Sequence, residues 1–98
     1  MDRVTNKMLE YLCDRINVVT KSPRTAWSRD EFGNMRANIG NYHISGAYGG
    51  VCLHRMMNAG GGVNTPLAYG HVPKRELYNA MRAFLQGLEE RLYHAKVG

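Results

Sequence analysis

The sequence predicts an α+β protein: a helix, a three-stranded antiparallel meander and a second helix, with both helices on one face of the sheet. Apolar residues recur at helical spacing near both ends of the chain, and apolar and polar residues alternate around clustered glycines in the middle. The 98 residues are the length of one domain and can bury one modest core. We therefore expect residues 1–98 to fold as a single domain.

The first helix is predicted over about residues 5–20. Apolar residues repeat there with the helical period and form a stripe of Met8, Leu9, Leu12, Ile16 and Val19. Thr5 or Asn6 can cap the start, because either side chain can accept a hydrogen bond from an amide of the first turn. The helix should end near Thr20, since Pro23 disfavours helical backbone at the residue before it.

Residues 22–41 are predicted to form a long, partly ordered connection. Trp27 and Phe32 are large apolar residues in a mostly polar stretch that also contains Gly33 and Gly40. We expect their aromatic side chains to dock on the core. Long connections of this kind are often functional.

A hairpin and a third strand are predicted over about residues 42–67. The glycines supply the positive φ angles of a tight turn, placed at Tyr48-Gly49 or Gly49-Gly50. Alternation then assigns one face to the core, with Tyr42, Ile44, Val51, Leu53, Arg55 and Met57. The open face receives His43, Ser45, Cys52, His54 and Met56. Pro66 makes the third strand an edge strand or a strand end.

The last helix, predicted over about residues 73–94, has the strongest pattern. Its apolar stripe consists of Leu77, Met81, Phe84, Leu85, Leu88 and Leu92. A helix of about 20 residues is ~30 Å long, whereas a strand of average length spans only ~17 Å. The end that carries Leu88 and Leu92 therefore needs a further partner. The first helix can supply it, and a homodimer through this helix is the other prediction.

The charge distribution indicates a basic surface. The net charge is +5, the excess lies in residues 21–82, and no acidic residue occurs between Glu31 and Glu76. Such a surface attracts a polyanion or an acidic protein face, although it can also serve solubility alone. The candidate partner- or phosphate-binding residues combine cations with tyrosines, which suit both nucleic acid and protein hot spots. They are Lys74, Arg75, Arg82, Arg55, Arg36, Arg29, Tyr48 and Tyr69.

Metal binding and catalysis have little support in the sequence. His43, Cys52 and His54 form a weak candidate metal set, but no Cys-x-x-Cys or His-x-x-x-His pair accompanies them and no fourth ligand is evident. Cys52 next to a histidine is a conceivable nucleophile, yet no nucleophile-elbow pattern is present. We expect no catalytic residues, no resident metal and no cofactor, and therefore not an enzyme.

The location is expected to be the cytoplasm. The first twenty residues contain no uninterrupted apolar segment, and no apolar run approaches the ~20 residues that span a bilayer. The two cysteines, Cys13 and Cys52, are too few for a disulfide scaffold and fit a reducing compartment. No membrane association is predicted.

Two resemblances add context. The predicted order of elements, with Lys74 and Arg75 opening the second helix, is similar to double-stranded-RNA-binding domains, in which a lysine cluster stands at that place. The further lysine of that cluster is absent here, and residues 22–41 have no counterpart. More specifically, three stretches resemble small uncharacterised proteins of bacteriophages and prophages. They are YHISGAYGG (42–50), PKRELY (73–78) and AFLQGL (83–88).

The phage resemblance implies an accessory protein that acts inside a bacterial host. The favoured function is a non-enzymatic protein that binds a host protein, most plausibly of a defence or regulatory system, and inhibits it by occupancy. The alternative is nucleic-acid binding through the basic residues of 21–82. A third reading is sequestration of a nucleotide-like ligand, whose phosphates the basic residues and glycine turns would hold.

Overall fold

The computed structural model describes residues 3–67 and 70–97, the last four of them by their backbone alone. It shows the predicted α+β class, with one helix before the sheet and one after it. The helices are α1 (Asn6–Val19) and α2 (Lys74–Val97). The strands are β1 (Trp27–Arg29), β2 (Met35–Ala37), β3 (Tyr42–Ala47), β4 (Gly50–Met56) and β5 (Val63–Asn64).

Helix α1 begins with a capping box, in which Thr5 is the cap. The Thr5 hydroxyl accepts from the Met8 amide at 3.3 Å, and the Met8 sulfur accepts from the Thr5 amide at 3.5 Å. Two otherwise unpaired amides of the first turn are thereby satisfied. The helix ends at Thr20, and Lys21 follows in the left-handed region with φ 58°.

The main sheet has the order β3-β4-β5 and is antiparallel throughout. Strands β3 and β4 are joined by the two-residue turn Tyr48-Gly49, with φ 54° and 74°. Positive φ at both positions is the type I′ geometry that matches strand twist. Tyr42 lies opposite Arg55, and Ile44 lies opposite Leu53, so these residues share one face as predicted.

Both helices cover that face. The core cluster combines residues of α1, of the two long strands and of α2, and Leu9, Ile16 and Met81 are fully buried. Its members are Val4, Leu9, Leu12, Cys13, Ile16, Tyr42, Val51, Leu53, Leu77, Met81 and Leu85. The 3.6-residue stripes of the two helices and the alternation of the strands thus meet in one layer between helices and sheet.

The segment expected as a connection contains a second, two-stranded sheet. Strands β1 and β2 pair antiparallel within residues 22–41, with Trp27 opposite Ala37. The ring of Trp27 lies against Gly61, where a Cβ would be only 2.8 Å from the ring. Ala37 is buried, and its amide donates to the Ala59 carbonyl. The expectation that both aromatic side chains dock on the core is therefore wrong: Trp27 packs on the Gly61 loop outside the core cluster and is 43% exposed, and Phe32 at the turn is 78% exposed.

The far end of β4 differs from the sequence expectation. Met57, expected in the core, lies beyond the strand and is half exposed, whereas Met56, expected on the open face, is buried. The reason is that Gly40 donates to the Met56 carbonyl, which brings the base of the small hairpin against this strand end. The third strand is also shorter than expected and ends at Asn64.

The edge of β4 is completed by the segment that precedes α2. Val72 forms an antiparallel bridge with Val51, and a Cβ at Gly50 would lie 2.9 Å from the Val72 carbonyl oxygen. Glycine at this position therefore permits the close approach of the two backbones. The molecule as a whole is flat, with extents of 44 × 42 × 21 Å.

Candidate functional site

The predicted basic residues are spread over the β1–β2 hairpin, β4 and α2. Arg29 and Arg36 are in the β1–β2 hairpin, where both are engaged. Arg36 Nε donates to Asp30 Oδ2 at 3.1 Å, and Arg29 Nη1 donates to the Gly33 carbonyl at 2.8 Å. Hydrogen bonds from the Asn34 amide, from Arg36 and from the Phe32 amide hold the pKa of the Asp30 carboxyl below its usual range. These arginines therefore order the hairpin turn.

Arg55 and Arg82 both lie over tyrosine rings. The Arg55 guanidinium is 5.3 Å from the centroid of the core residue Tyr42, and that of Arg82 is 5.8 Å from the centroid of Tyr78. Both distances are typical of cation–π contacts. Arg55 Nε is buried and has no hydrogen-bond partner among the described residues. Arg55 is thus turned toward the helices and away from the open face.

Lys74 and Arg75 occupy the first turn of α2, where both are exposed. Lys74 makes no ion pair within the described part of the chain. Tyr48 is 96% exposed at the β3–β4 turn, and Tyr69 lies outside the described residues. The seven predicted residues that the structure describes do not come together in one surface.

A different group of side chains does come together, on the face of β3 and β4 that the helices leave open. We call it the ring row: His43, His54, His71 and Tyr48. The ring centroids of His43 and His54 are 5.6 Å apart, and those of His54 and His71 are 6.1 Å apart. Tyr48 contacts His71 at 5.7 Å. All three contacts are edge-to-face.

Neighbouring polar groups hydrogen-bond to the first and third rings of this row. His43 Nδ1 is 3.2 Å from Asn41 Oδ1, and His71 Nε2 is 3.2 Å from Ser45 Oγ. The central ring, His54, makes no hydrogen bond within the described residues. Burial, and in addition the neighbouring His54, lowers the pKa of His43, while burial and His71 lower the pKa of His54. Both rings are therefore predominantly uncharged at neutral pH.

The weak candidate metal set is only partly assembled. His43 and His54 are directly opposite in the register, as predicted, but Cys52 is buried and its thiol contacts the Leu53 carbonyl at 3.6 Å. Burial raises the pKa of the Cys52 thiol, which disfavours the thiolate that metals bind. Among the described residues, no group of three or more His, Cys, Asp or Glu could hold a metal ion.

Sequence reasoning missed His71. It is far from His43 and His54 in sequence, and only the single bridge between Val51 and Val72 places it beside β4. One isolated bridge gives no alternating pattern, so no periodicity signal could have found it. The acid-free interval from 32 to 75 was the available signal, because it contains the whole open face.

A second exposed feature is apolar and belongs to the small hairpin. Phe32, Ile39 and Met35 are 78%, 61% and 53% exposed. Met57 and Val63, beside the base of the hairpin, are also exposed. We call the exposed apolar side chains of this region the hairpin surface: Trp27, Phe32, Met35, Ile39, Met57 and Val63.

The end of α2 bears on the predicted homodimer. Leu88 is half-buried against the core of its own chain, and Arg15 of α1 forms a salt bridge with Glu89 at 3.1 Å. The first helix therefore supplies part of the partner that this end of α2 was expected to need. Leu92 remains 42% exposed.

Comparisons with known proteins identify no relative. No family model, curated protein or solved structure matches the chain. In the described part of the chain, neither helix combines the length and the apolar character needed to cross a bilayer.

Proposed function

We propose that this chain is a non-enzymatic accessory protein that acts in the cytoplasm of a bacterial host and inhibits a host protein by docking through the hairpin surface. The resemblance to phage proteins supplies the biological context. The observation that carries the proposal is the exposure of Phe32 and Met35 on the β1–β2 hairpin and of Ile39 in the turn that follows β2. Clustered large apolar side chains at a protein surface are typical of protein-protein contacts.

The hairpin is ordered before any partner binds. Two strands of three residues have little stability of their own. Here the Asp30 carboxylate accepts from the amides of Phe32 and Asn34, both at 2.9 Å, and from Arg36. At the other end, Trp27 is fixed against Gly61. A surface that is already ordered loses less conformational entropy on binding, so its apolar contacts contribute more affinity.

The chemistry of this surface favours a protein over nucleic acid. Arg29 and Arg36 are used within the hairpin, and Asp30 and Glu31 balance their charges. A net-neutral apolar surface offers phosphate groups little attraction. The partner surface that complements it is an apolar cleft with a polar rim, which accepts Phe32 at its centre.

The decisive experiment first captures the host proteins that bind this chain and then measures the affinity of each complex. Proteins bound by the wild-type chain from a bacterial host lysate are identified, purified and titrated against it by calorimetry. Phe32→Ser and Met35→Ser should each weaken the complex at least tenfold, because each removes an exposed apolar contact. Tyr11→Ser is the matched control, since Tyr11 is an exposed aromatic residue on α1.

Equal affinity of all four proteins would overturn docking through the hairpin, as would the absence of a stoichiometric complex with any captured protein. Urea unfolding of each variant checks that the fold is retained. Self-association through Leu92 stays a prediction, which the mass of the free chain by light scattering decides.

A further inference from the structure

The open face of the β3–β4 hairpin carries a second binding site. We propose that the ring row binds single-stranded nucleic acid, with bases stacked on the exposed Tyr48 and on the partly exposed histidine rings, and with the phosphate backbone running past Lys74. This site is separate from the hairpin surface and does not depend on the proposed docking to a host protein.

The first support is the arrangement of the rings. His43, His54 and His71 follow one another at 5.6 and 6.1 Å, and Tyr48 continues the row at 5.7 Å from His71. Aromatic side chains on an exposed sheet or groove are the usual platform for successive bases of a single strand. The row of four rings extends over a greater length than a single base. It therefore suits an oligonucleotide ligand better than a mononucleotide.

The second support is hydrogen-bonding capacity. The ring nitrogens of His54 are not used within the described residues, and His43 and His71 each use one ring nitrogen. A neutral imidazole offers one donor and one acceptor, so these rings can bond base edges as well as stack.

The third support is the backbone at Tyr48. Its φ of 54° is a conformation that non-glycine residues adopt only at a cost, and glycine or asparagine is preferred at this turn position. The side chain is nevertheless 96% exposed and adds almost nothing to the core. Folding gives no reason for a strained residue with an exposed aromatic ring, whereas binding of a ligand to that ring does.

The fourth support is the charge around the row. No carboxylate lies between residues 32 and 75, so none belongs to β2, β3, β4 or β5. The groups that face the imidazoles are one another, Tyr48, Ser45 and Asn41. Lys74 follows His71 by three residues. The nearest acid along the chain is Glu76, which lines a small cavity beside Cys52 and Val72.

The charge state of the rings predicts the response to pH. Near neutral pH His43 and His54 are mostly uncharged, because their pKa values are lowered, so stacking dominates and affinity depends moderately on salt. Below the usual titration range of histidine, around pH 6.5, protonation adds positive charge beside the phosphates. Affinity should then increase and become more dependent on salt.

The test is fluorescence anisotropy with a labelled twelve-nucleotide single strand, at pH 7.5 and pH 5.5 and at two salt concentrations. Tyr48→Gly removes one ring while placing the preferred residue in the turn, so the fold is retained. We expect it to weaken binding about tenfold, or ~1.4 kcal/mol, and His54→Ala to do the same. Tyr11→Ala is the control, because it removes an exposed ring on α1 and alanine, unlike glycine, does not disturb the helix. This variant should bind as the wild type does.

Three results would overturn the proposal: no binding at low salt and pH 5.5, equal binding of Tyr48→Gly and wild type, or displacement of the oligonucleotide by an equimolar mononucleotide. Tighter binding of a duplex than of the single strand would also contradict stacking on the rings. Phe32→Ser should leave oligonucleotide binding unchanged, so failure here is distinguishable from failure of the hairpin surface.

Discussion

Replacement of Asn17 by alanine should destabilise the fold strongly. The side-chain amide of Asn17 makes the two hydrogen bonds that a neighbouring strand would make with the edge strand β3. Asn17 Oδ1 accepts from the Tyr42 amide at 2.8 Å, and Asn17 Nδ2 donates to the Tyr42 carbonyl at 2.9 Å. Both backbone groups point away from β4, where a further strand would pair with them. Asn17 is 2% exposed and therefore binds them without water.

The magnitude follows from what remains after the substitution. The Tyr42 carbonyl keeps a contact with the Cys13 thiol at 3.1 Å, whereas the Tyr42 amide has no other partner in the described chain. A buried amide without a partner costs about 1–3 kcal/mol, and the loss of the second bond adds ~1 kcal/mol. Alanine is the better helix former by a few tenths of a kcal/mol. The net loss is about 1.5–3.5 kcal/mol.

Urea unfolding at pH 7 measures this loss, and the melting temperature should fall by roughly 10–20 °C for a chain of this size. Asn79→Ala is the matched control, because Asn79 is exposed on α2 and makes no bond that the substitution would break. Its stability should be unchanged or slightly raised. A loss below 0.5 kcal/mol for Asn17→Ala would refute the view that this side chain closes the sheet edge.

Three further predictions concern strain, thiol reactivity and pH. Tyr48→Gly should raise the free energy of unfolding by about 0.5–1 kcal/mol, and a decrease in urea unfolding would contradict strain at this turn. The Cys13 thiol, whose pKa burial raises to about 12, should resist iodoacetamide at pH 8 until urea unfolds the chain; rapid labelling of the native protein would disprove its burial. Because folding lowers the pKa values of His43 and His54, the unfolded chain binds more protons and stability should fall as pH falls below about 6.5. A double His43→Gln, His54→Gln variant should lose less stability between pH 7 and 5, and an identical slope would exclude these rings as the cause.

The parts of the fold that the sequence predicted are those with a repeated pattern. The stripes of α1 and α2 and the alternation of β3 and β4 each involve many residues, so one irregular position does not hide them. The glycines also gave the turn correctly as one of two alternatives. Tyr48-Gly49 is the observed one, with both residues in the left-handed region.

The parts that the sequence did not predict depend on single contacts. Strands β1 and β2 have three residues each, too few for an alternation, and their order comes from Asp30 and from Trp27 against Gly61. His71 reaches the ring row through one bridge. Tertiary contacts of this kind leave no periodic trace in the sequence, so sequence reasoning could not place His71 beside His43 and His54.

In both proposed surfaces, individual residues depart from the residue type that stability alone would favour at their position. Phe32 exposes a large apolar ring in a turn, Tyr48 occupies a backbone conformation suited to glycine, and His54 is an imidazole with lowered pKa on a sheet that carries no carboxylate. Each departs from local sequence preference, while the core between helices and sheet does not. Such departures concentrate at functional positions, because the remaining structure is stable enough to tolerate them. Their location outside the core, on elements held by Asn17, Asp30 and Trp27, is what the two proposed binding surfaces require.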